Sequence, residues 1–263
     1  MGTFVDKVAI VTGSSSGIGL AIAAKMISEG ALVMGADLTA PDPEFAEKAK
    51  DRFKFIQTDV SRIEQVNSLV DNCVRIWGSV DLLFNNAGVG GGGPAPAAEL
   101  SPEAWTRVLE ANLNSVYFCC RAALPYMCAN GGGAIVNISS ISGLAADYGV
   151  ANYSASKAAV ISFTRTVAIE YATKGVRANV ICPGFVQTQM MQRVSETDLN
   201  EIFLARIPMQ RSASPSEIAD VAAFLASNEA SYVTGATLVV DGGLMAHTGQ
   251  PNMLNPFAEA GSP

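Results

Sequence analysis

Tyr153 and Lys157 stand four residues apart in Tyr153-Ser154-Ala155-Ser156-Lys157, at the head of an apolar stretch that reads as a helix. At that spacing both side chains leave one helical face a turn apart, which sets an ammonium beside a phenol. A phenol with a pKa of about 10 is a weak base at neutral pH, and a neighbouring cation favours its charged form. The same pair also occurs on ordinary helix surfaces, so its chemistry depends on what accompanies it. Ser139, Ser140 and Ser142, just beyond an apolar strand, offer hydroxyls able to hold a substrate oxygen while charge develops on it.

A second chemical signal lies near the start of the chain. Thr12-Gly13-Ser14-Ser15-Ser16-Gly17-Ile18-Gly19 follows an apolar strand and opens a helix. Glycines there let the backbone turn sharply and approach a pyrophosphate, which then rests on the helix N-terminus. Gly13, Ser15, Ser16, Gly17, Ile18 and Gly19 are therefore candidate dinucleotide contacts. Asp37 closes the next strand, with Leu38 after it, at the offset where a carboxylate accepts hydrogen bonds from the adenosine ribose. It would repel a 2′-phosphate, and neither the loop nor Leu38 and Thr39 brings an Arg or Lys to hold one, so NAD is expected over NADP. The loop also satisfies Gly13-x-Ser15-x-Gly17, the pattern of a hydrolase elbow, and Asp241 and His247 follow in the matching order. That different-class alternative would place the nucleophile on the first strand and leave Tyr153 and Lys157 without a use.

Short apolar, often β-branched runs must position these groups. Residues 7–11, 31–36, 53–57, 81–84, 134–138, 177–181 and 237–240 read as strands covered on both faces. Helical patterns fall between them at about 17–29, 61–77, 101–129, 151–173 and 215–227. Ser61 and Ser101 are the expected N-caps, the latter followed by Pro102 at the first helical position. The alternation predicts a single-domain α/β fold over 1–243: a doubly wound parallel sheet of about seven strands, flanked by helices on both faces. Residues 184–213 form a Met-rich insertion fit for a substrate lid, and 244–263 a tail expected to be irregular.

Composition narrows the function classes. With 17 Lys+Arg against 24 Asp+Glu and no basic cluster, a nucleic-acid partner is not expected. No apolar run reaches membrane-spanning length, and the first residues lack a signal-peptide pattern, so a cytoplasmic protein with no membrane partner is expected. Cys73, Cys119, Cys120, Cys128 and Cys182 follow no metal spacing and read as buried free thiols; with His247 the only histidine, no metal site is expected.

Thr12-Gly13-xxx-Gly17-x-Gly19, Asn85-Asn86-Ala87-Gly88, Asn112, Ser140, Tyr153-xxx-Lys157 and Pro183-Gly184 occur in this order. Together they resemble the short-chain dehydrogenase/reductase family, in its subtype of roughly 250 residues, over about residues 5 to 243. The resemblance implies hydride transfer between a carbinol carbon and a nicotinamide, with Tyr153 as general base for oxidation and general acid for the reverse. It assigns Lys157 to the nicotinamide ribose and Ser140, thirteen residues before Tyr153, to the substrate oxygen. Asn112 would kink its helix and hold a water linking Lys157 to solvent. Asp59 and Val60 would hold the adenine, and Asn86, Ala87 and Gly88 would close over the adenosine side. Pro183, Gly184 and Val186 would line the nicotinamide, with Thr188 on its carboxamide.

The family also builds its substrate pocket from the segments after Ser140 and after Pro183-Gly184. Here these supply Ser140, Ser142, Leu144, Ala145, Tyr148, Phe185, Met190 and Met191. An apolar, Met-rich lining suits a hydrophobic cyclic, aryl or steroid-like secondary alcohol or its ketone. A polyol or sugar would want more polar groups, and a 3-oxoacyl carrier substrate a basic patch at the entrance; both remain same-family alternatives. His247, Met253, Leu254 and Phe257 could fold over a pocket, that of this chain or of a neighbouring subunit. The family forms homotetramers through the helices bearing Asn112 and Tyr153, whose Leu109, Val116, Phe118, Val160, Phe163 and Val167 also suit packing on the sheet.

Overall fold

A computed structural model describes residues 2–195 and 197–248. Seven strands form one parallel sheet: β1 (Val8–Thr12), β2 (Leu32–Asp37), β3 (Phe53–Gln57), β4 (Leu82–Asn85), β5 (Gly133–Ile138), β6 (Val176–Pro183) and β7 (Thr237–Val240). Their order is β3-β2-β1-β4-β5-β6-β7. β1 pairs with β2 on one side and β4 on the other. The order reverses there, so a crevice opens beyond the carboxyl ends of these strands, where ligands of open α/β sheets bind.

Alternation along β1 shows why the strands read as continuous apolar runs. Val8 and Ile10 point into one core and Ala9 and Val11 into the other. The first core is closed by α3 (Ile63–Trp77), α5 (Ser115–Ala129) and α6 (Ala151–Tyr171), with Leu69, Cys120 and Val160 fully buried. The second is closed by α1 (Gly17–Ser28) and α9 (Pro215–Ala226), through Ile22, Met26 and Ile218.

Several expected boundaries change. The helix expected over 101–129 is two helices, α4 (Pro102–Leu109) and α5, joined by a π-helical turn at Glu110–Asn114. Ser101 caps α4 as expected, its hydroxyl accepting from Ala104 N at 3.1 Å. Ser61 is not a cap: α3 starts at Ile63 after Arg62, and Ser61 gives both its N–H and its hydroxyl to the Asp59 carboxylate. A helix unforeseen in the sequence, α2 (Pro43–Ala49), is capped by Asp42, which accepts from Glu44 N at 2.8 Å. The 184–213 segment carries α7 (Gln189–Ser195) and α8 (Leu199–Arg206). All five cysteines are free; four are buried and Cys128 is half-buried. The tail is described to Thr248 as turns, and Met253, Leu254 and Phe257 lie outside the described residues. Among the described residues no helix is long and apolar enough to cross a membrane, and no three His, Cys, Asp or Glu side chains gather to hold a metal.

Candidate active site

Tyr153 and Lys157 lie in the first two turns of α6, and the Lys157 Nζ sits 5.7 Å from the Tyr153 ring centroid. Lys157 is 5 % exposed and donates to the Ile138 carbonyl at 3.0 Å. Burial lowers its pKa to about 8, with the Cys182 thiol beneath it acting in the opposite direction. The sequence led us to expect a phenol held low by this cation. In the protein alone the Tyr153 phenol lies above its ordinary value: burial dominates, a hydrogen bond with Ser140 draws it down, and the Asp147 charge pushes it up.

The three candidate hydroxyls separate by partner. Ser139 Oγ donates to the Lys157 carbonyl at 2.8 Å, tying β5 to α6. Ser142 Oγ donates to Asp147 Oδ2. Ser140, at the head of a 3₁₀ turn (Ile141–Gly143), is the one whose hydroxyl acts on Tyr153, drawing the phenol down. Its Oγ lies 3.2 Å from Ser142 Oγ and accepts from Ser142 N at 3.1 Å.

Asn112 sits in the π turn, where the extra residue breaks the helical register. Its Oδ1 accepts from Val89 N at 2.7 Å, and its Nδ2 donates to Val89 O at 3.0 Å and Ser156 Oγ at 3.1 Å. The side chain therefore ties the loop after β4 to α6. Gly88 fits in the gap it leaves: a Cβ there would lie 3.0 Å from Asn112 Oδ1 and 3.5 Å from Lys157 Nζ. Asn152, which sequence reasoning passed over, has a similar task. Its Oδ1 accepts from Tyr153 N at 2.8 Å, and its Nδ2 donates to Gly91 O and Ala104 O, both at 3.2 Å. An amide immediately before Tyr153 was the available signal. Asn137 forms a further buried rung, accepting from Asn85 Nδ2 and donating to Thr164 Oγ1, each at 2.8 Å.

At the carboxyl end of β1, Gly13 and Gly17 adopt φ of +66° and +53°, the left-handed region that favours glycine. Gly19 permits a close approach, since a Cβ there would fall 2.0 Å from Gly13 O. Asn86 fixes the loop by donating its Nδ2 to Thr12 O at 3.0 Å and Gly13 O at 3.2 Å. Asn86 N and Ala87 N both donate to Thr12 Oγ1. Ser16 heads α1 without a side-chain cap, so it does not occupy the first N–H groups of the helix. Ile18 packs on the second core. Asp37 takes Ser15 N at 3.0 Å and Leu38 N at 2.7 Å, one on each oxygen, and keeps lone pairs to spare; Leu38 is exposed. A backbone cradle with an unblocked helix N-terminus and a carboxylate at its rim fits a dinucleotide.

The remaining cofactor candidates follow the carboxyl ends of β3 and β6. Asp59 accepts from Ser61 and pairs with Arg62 at 3.8 Å, and Val60 packs on the first core. Gly184 passes Asp241 so closely that a Cβ would lie 2.7 Å from its Cβ. Val186 is buried and bridges to Ala213, while the Thr188 methyl faces Gly17. The hydrolase alternative is not assembled. Ser15 Oγ donates to Thr39 O at 2.5 Å, Asp241 accepts from Gly243 N and Met245 N, and His247 lies against Arg206 O.

Of the pocket residues, Phe185 and Met191 line a cleft of about 670 Å³ with Val186, Thr188 and the α1 residues Leu20 and Ala21. The cleft adjoins the glycine-rich loop and does not reach Tyr153, so the chemistry is placed by the side-chain geometry instead. Phe185 also stacks on Phe203, with ring centroids 4.2 Å apart. Ser142 is buried, Leu144, Ala145 and Met190 are exposed, and Tyr148 projects wholly into solvent rather than into a pocket.

A family profile described as enoyl-(acyl carrier protein) reductase matches residues 13–245. The chain is 41 % identical over 246 residues to cis-4-hydroxycyclohexanecarboxylate dehydrogenase of Sinomonas cyclohexanicum, covering 92 % of this chain and 98 % of that one. It is 38 % identical over 249 residues to 2-(R)-hydroxypropyl-CoM dehydrogenase of Xanthobacter autotrophicus, covering 92 % and 100 %. Among solved structures, the ligand-free aldohexose dehydrogenase of Thermoplasma acidophilum superposes with a TM-score of 0.87 at 33 % identity, covering 95 % of this chain and 98 % of that one.

Proposed function

Because the chain belongs to the short-chain dehydrogenase/reductase family and is a dehydrogenase/reductase acting on CH–OH groups, we propose that it interconverts a hydrophobic secondary alcohol and its ketone with NAD. The observation that carries the reading is the convergence of Ser140, Tyr153 and Lys157 beside a glycine-rich cradle rimmed by Asp37. A bound nicotinamide supplies the hydride acceptor. The protein's own work is positional and acid–base. Tyr153, as phenolate, takes the hydroxyl proton of the alcohol, and Ser140 holds the same oxygen. Lys157 places a positive charge within reach of the phenolate, favouring that form over the phenol that burial otherwise selects. Asn112 and Asn152 keep the loop after β4 and the start of α6 in register, so that the hydroxyls converge.

The preference for NAD rests on Asp37, which faces the adenosine side with a negative charge and with exposed Leu38 as its neighbour. A cyclic substrate is supported by the ring-bearing substrate named for the Sinomonas relative. A homotetramer in the cytoplasm completes the reading. The test is a panel of cyclic, aryl, steroid and polyol alcohols with NAD or NADP, followed at the absorbance of the reduced nicotinamide. Oxidation of cyclic alcohols with NAD is expected. A roughly tenfold preference for NADP would overturn the role of Asp37, and preferential oxidation of polyols would overturn the apolar substrate class.

A further inference from the structure

A glycine tract, Gly90 to Gly93, follows β4 and lies against the start of α6. Asn112 holds both backbone groups of Val89, just before the tract. Within it, Gly91 O accepts at 3.2 Å from Asn152, the residue before Tyr153. Beyond it, Ala95 N donates to Gly149 O at 3.0 Å. The tract is thus strapped to the helix that carries Tyr153 and Lys157. Its other glycines have a physical reason to be glycine. A Cβ on Gly91 would lie 2.9 Å from Val150 Cγ1, and Gly92 and Gly93 hold φ of +90° and +119°. Gly90 has neither reason. Its φ is outside the left-handed region, and among the described residues beyond its chain neighbours a Cβ there would meet only Met190 Sδ, at 4.0 Å. Met190 belongs to α7 and is itself exposed.

We propose that the gap between Gly90 and Met190 receives the bulky end of the substrate, and that Gly90, by lacking a side chain, sets the size of alcohol accepted. Its neighbours fix where this wall stands. Gly88, two residues earlier, reaches the catalytic lysine: a Cβ on it would lie 3.5 Å from Lys157 Nζ. Gly91, the next residue, is tied to the amide that precedes Tyr153. Gly90 is therefore held between a contact at Lys157 and a contact at the head of the Tyr153 turn. The two walls differ in stiffness. On one side is backbone that Asn112 and Asn152 do not let retreat. On the other is a thioether on a short helix, able to adapt to the ring set against it. Any atom added at Gly90 is taken out of the gap. One methylene of space in an apolar pocket changes the relative rate of two substrates by about 10–200-fold.

The inference rests on the dehydrogenase reading, and a graded series of ring alcohols separates the two. Cyclopentanol, cyclohexanol and tert-butylcyclohexanol are offered with NAD, and reduced nicotinamide is followed by absorbance. The quantity read is the ratio of kcat/KM for the largest and the smallest alcohol that the wild type oxidises. In Gly90→Val this ratio is expected to fall about tenfold or more, and in Gly90→Ala by less. Cutting back the opposite wall should undo the change, so Met190→Ala in the Gly90→Val background is expected to bring the ratio back towards the wild-type value. Binding of reduced nicotinamide, read by its fluorescence, should persist in all three variants, which distinguishes a filled gap from a damaged fold. An unchanged ratio in Gly90→Val, or an equal loss on both alcohols, would overturn the role of Gly90 and leave the dehydrogenase reading standing. So would a ratio that Met190→Ala fails to restore, or loss of nicotinamide binding in both single variants. A wild-type enzyme that oxidises no alcohol would overturn the parent reading, and the gap with it.

Discussion

Lys157 carries an ammonium into a site where one carbonyl is its recorded hydrogen-bond partner, and burial lowers its pKa to about 8 from 10.5. Between those values the unfolded chain binds more protons than the folded one, so this residue's contribution to stability rises with pH across that window. The buried thiols oppose it. Burial pushes Cys73 and Cys120 up to about 12, so they keep protons that the unfolded chain surrenders, and their contribution falls as pH rises past about 9. A differential measurement isolates the lysine. Lys157→Met is expected to be more stable than the wild type at pH 7 by about 1–3 kcal/mol, the gap closing towards pH 10. Urea unfolding at the two pH values tests this, and an equal gap at both would mean that the buried charge is not what strains the site. Activity should be lost in the same variant. Tyr153→Phe is the complementary change: turnover should fall by about 10³-fold or more while reduced nicotinamide still binds, as read by its fluorescence. Near-normal turnover would remove Tyr153 from the chemistry. The spacing of Tyr153 and Lys157 was legible in the sequence because a helix enforces it. The direction of the phenol's shift was not, because burial depends on how β5 and the segment after it close over α6.

At the scale of elements, the π turn at Glu110–Asn114 holds the site together. A regular helix across 101–129 would not provide the extra residue that aims Asn112 at Val89 and Ser156. Asn112→Ala would leave the Val89 N–H without its partner, at an expected loss of about 1–3 kcal/mol in stability. Turnover should fall further than stability alone explains, because the loop after β4 and the catalytic helix lose their common anchor; denaturation and steady-state rates on one preparation check both. Wild-type values in both would show that the turn is incidental. The strands were legible because residues buried on both faces read as apolar runs, and 53–57 and 237–240 match the observed bounds. Ser61 misled as a cap because the Asp59 carboxylate, two residues before it, captures its N–H and hydroxyl in a local turn. The two lid helices, α7 and α8, were missed for a different reason. They are short and largely exposed and lack a clear apolar stripe, so periodicity had little to report.

For the whole molecule, the apolar residues on α5 and α6 posed a choice between the sheet and a second subunit. Val116, Val160 and Val167 are buried in the first core, and Phe118 and Phe163 pack against it. What they leave outside is also apolar. Tyr117 meets the Phe163 ring edge-on at 6.2 Å, and Ile169, on the same helix as Phe163, is 77 % exposed. At the far end of the sheet β7 is an edge strand, with Leu238 and Val239 exposed and Tyr232 wholly so. An unprotected apolar edge invites pairing with another chain. Two such separate surfaces, one on a helical face and one at the sheet edge, suit a closed assembly with two kinds of isologous contact, which is a tetramer. The purified 27.4 kDa chain is therefore expected to scatter light as a particle of about 110 kDa. Ile169→Glu places a charge on the α5–α6 face and should split the tetramer into dimers held through β7, without disturbing the core behind it. A charge placed at Val239 should split it the other way, again into dimers. If both single variants stay tetrameric, neither surface is the interface, and the exposed apolar residues must serve another partner.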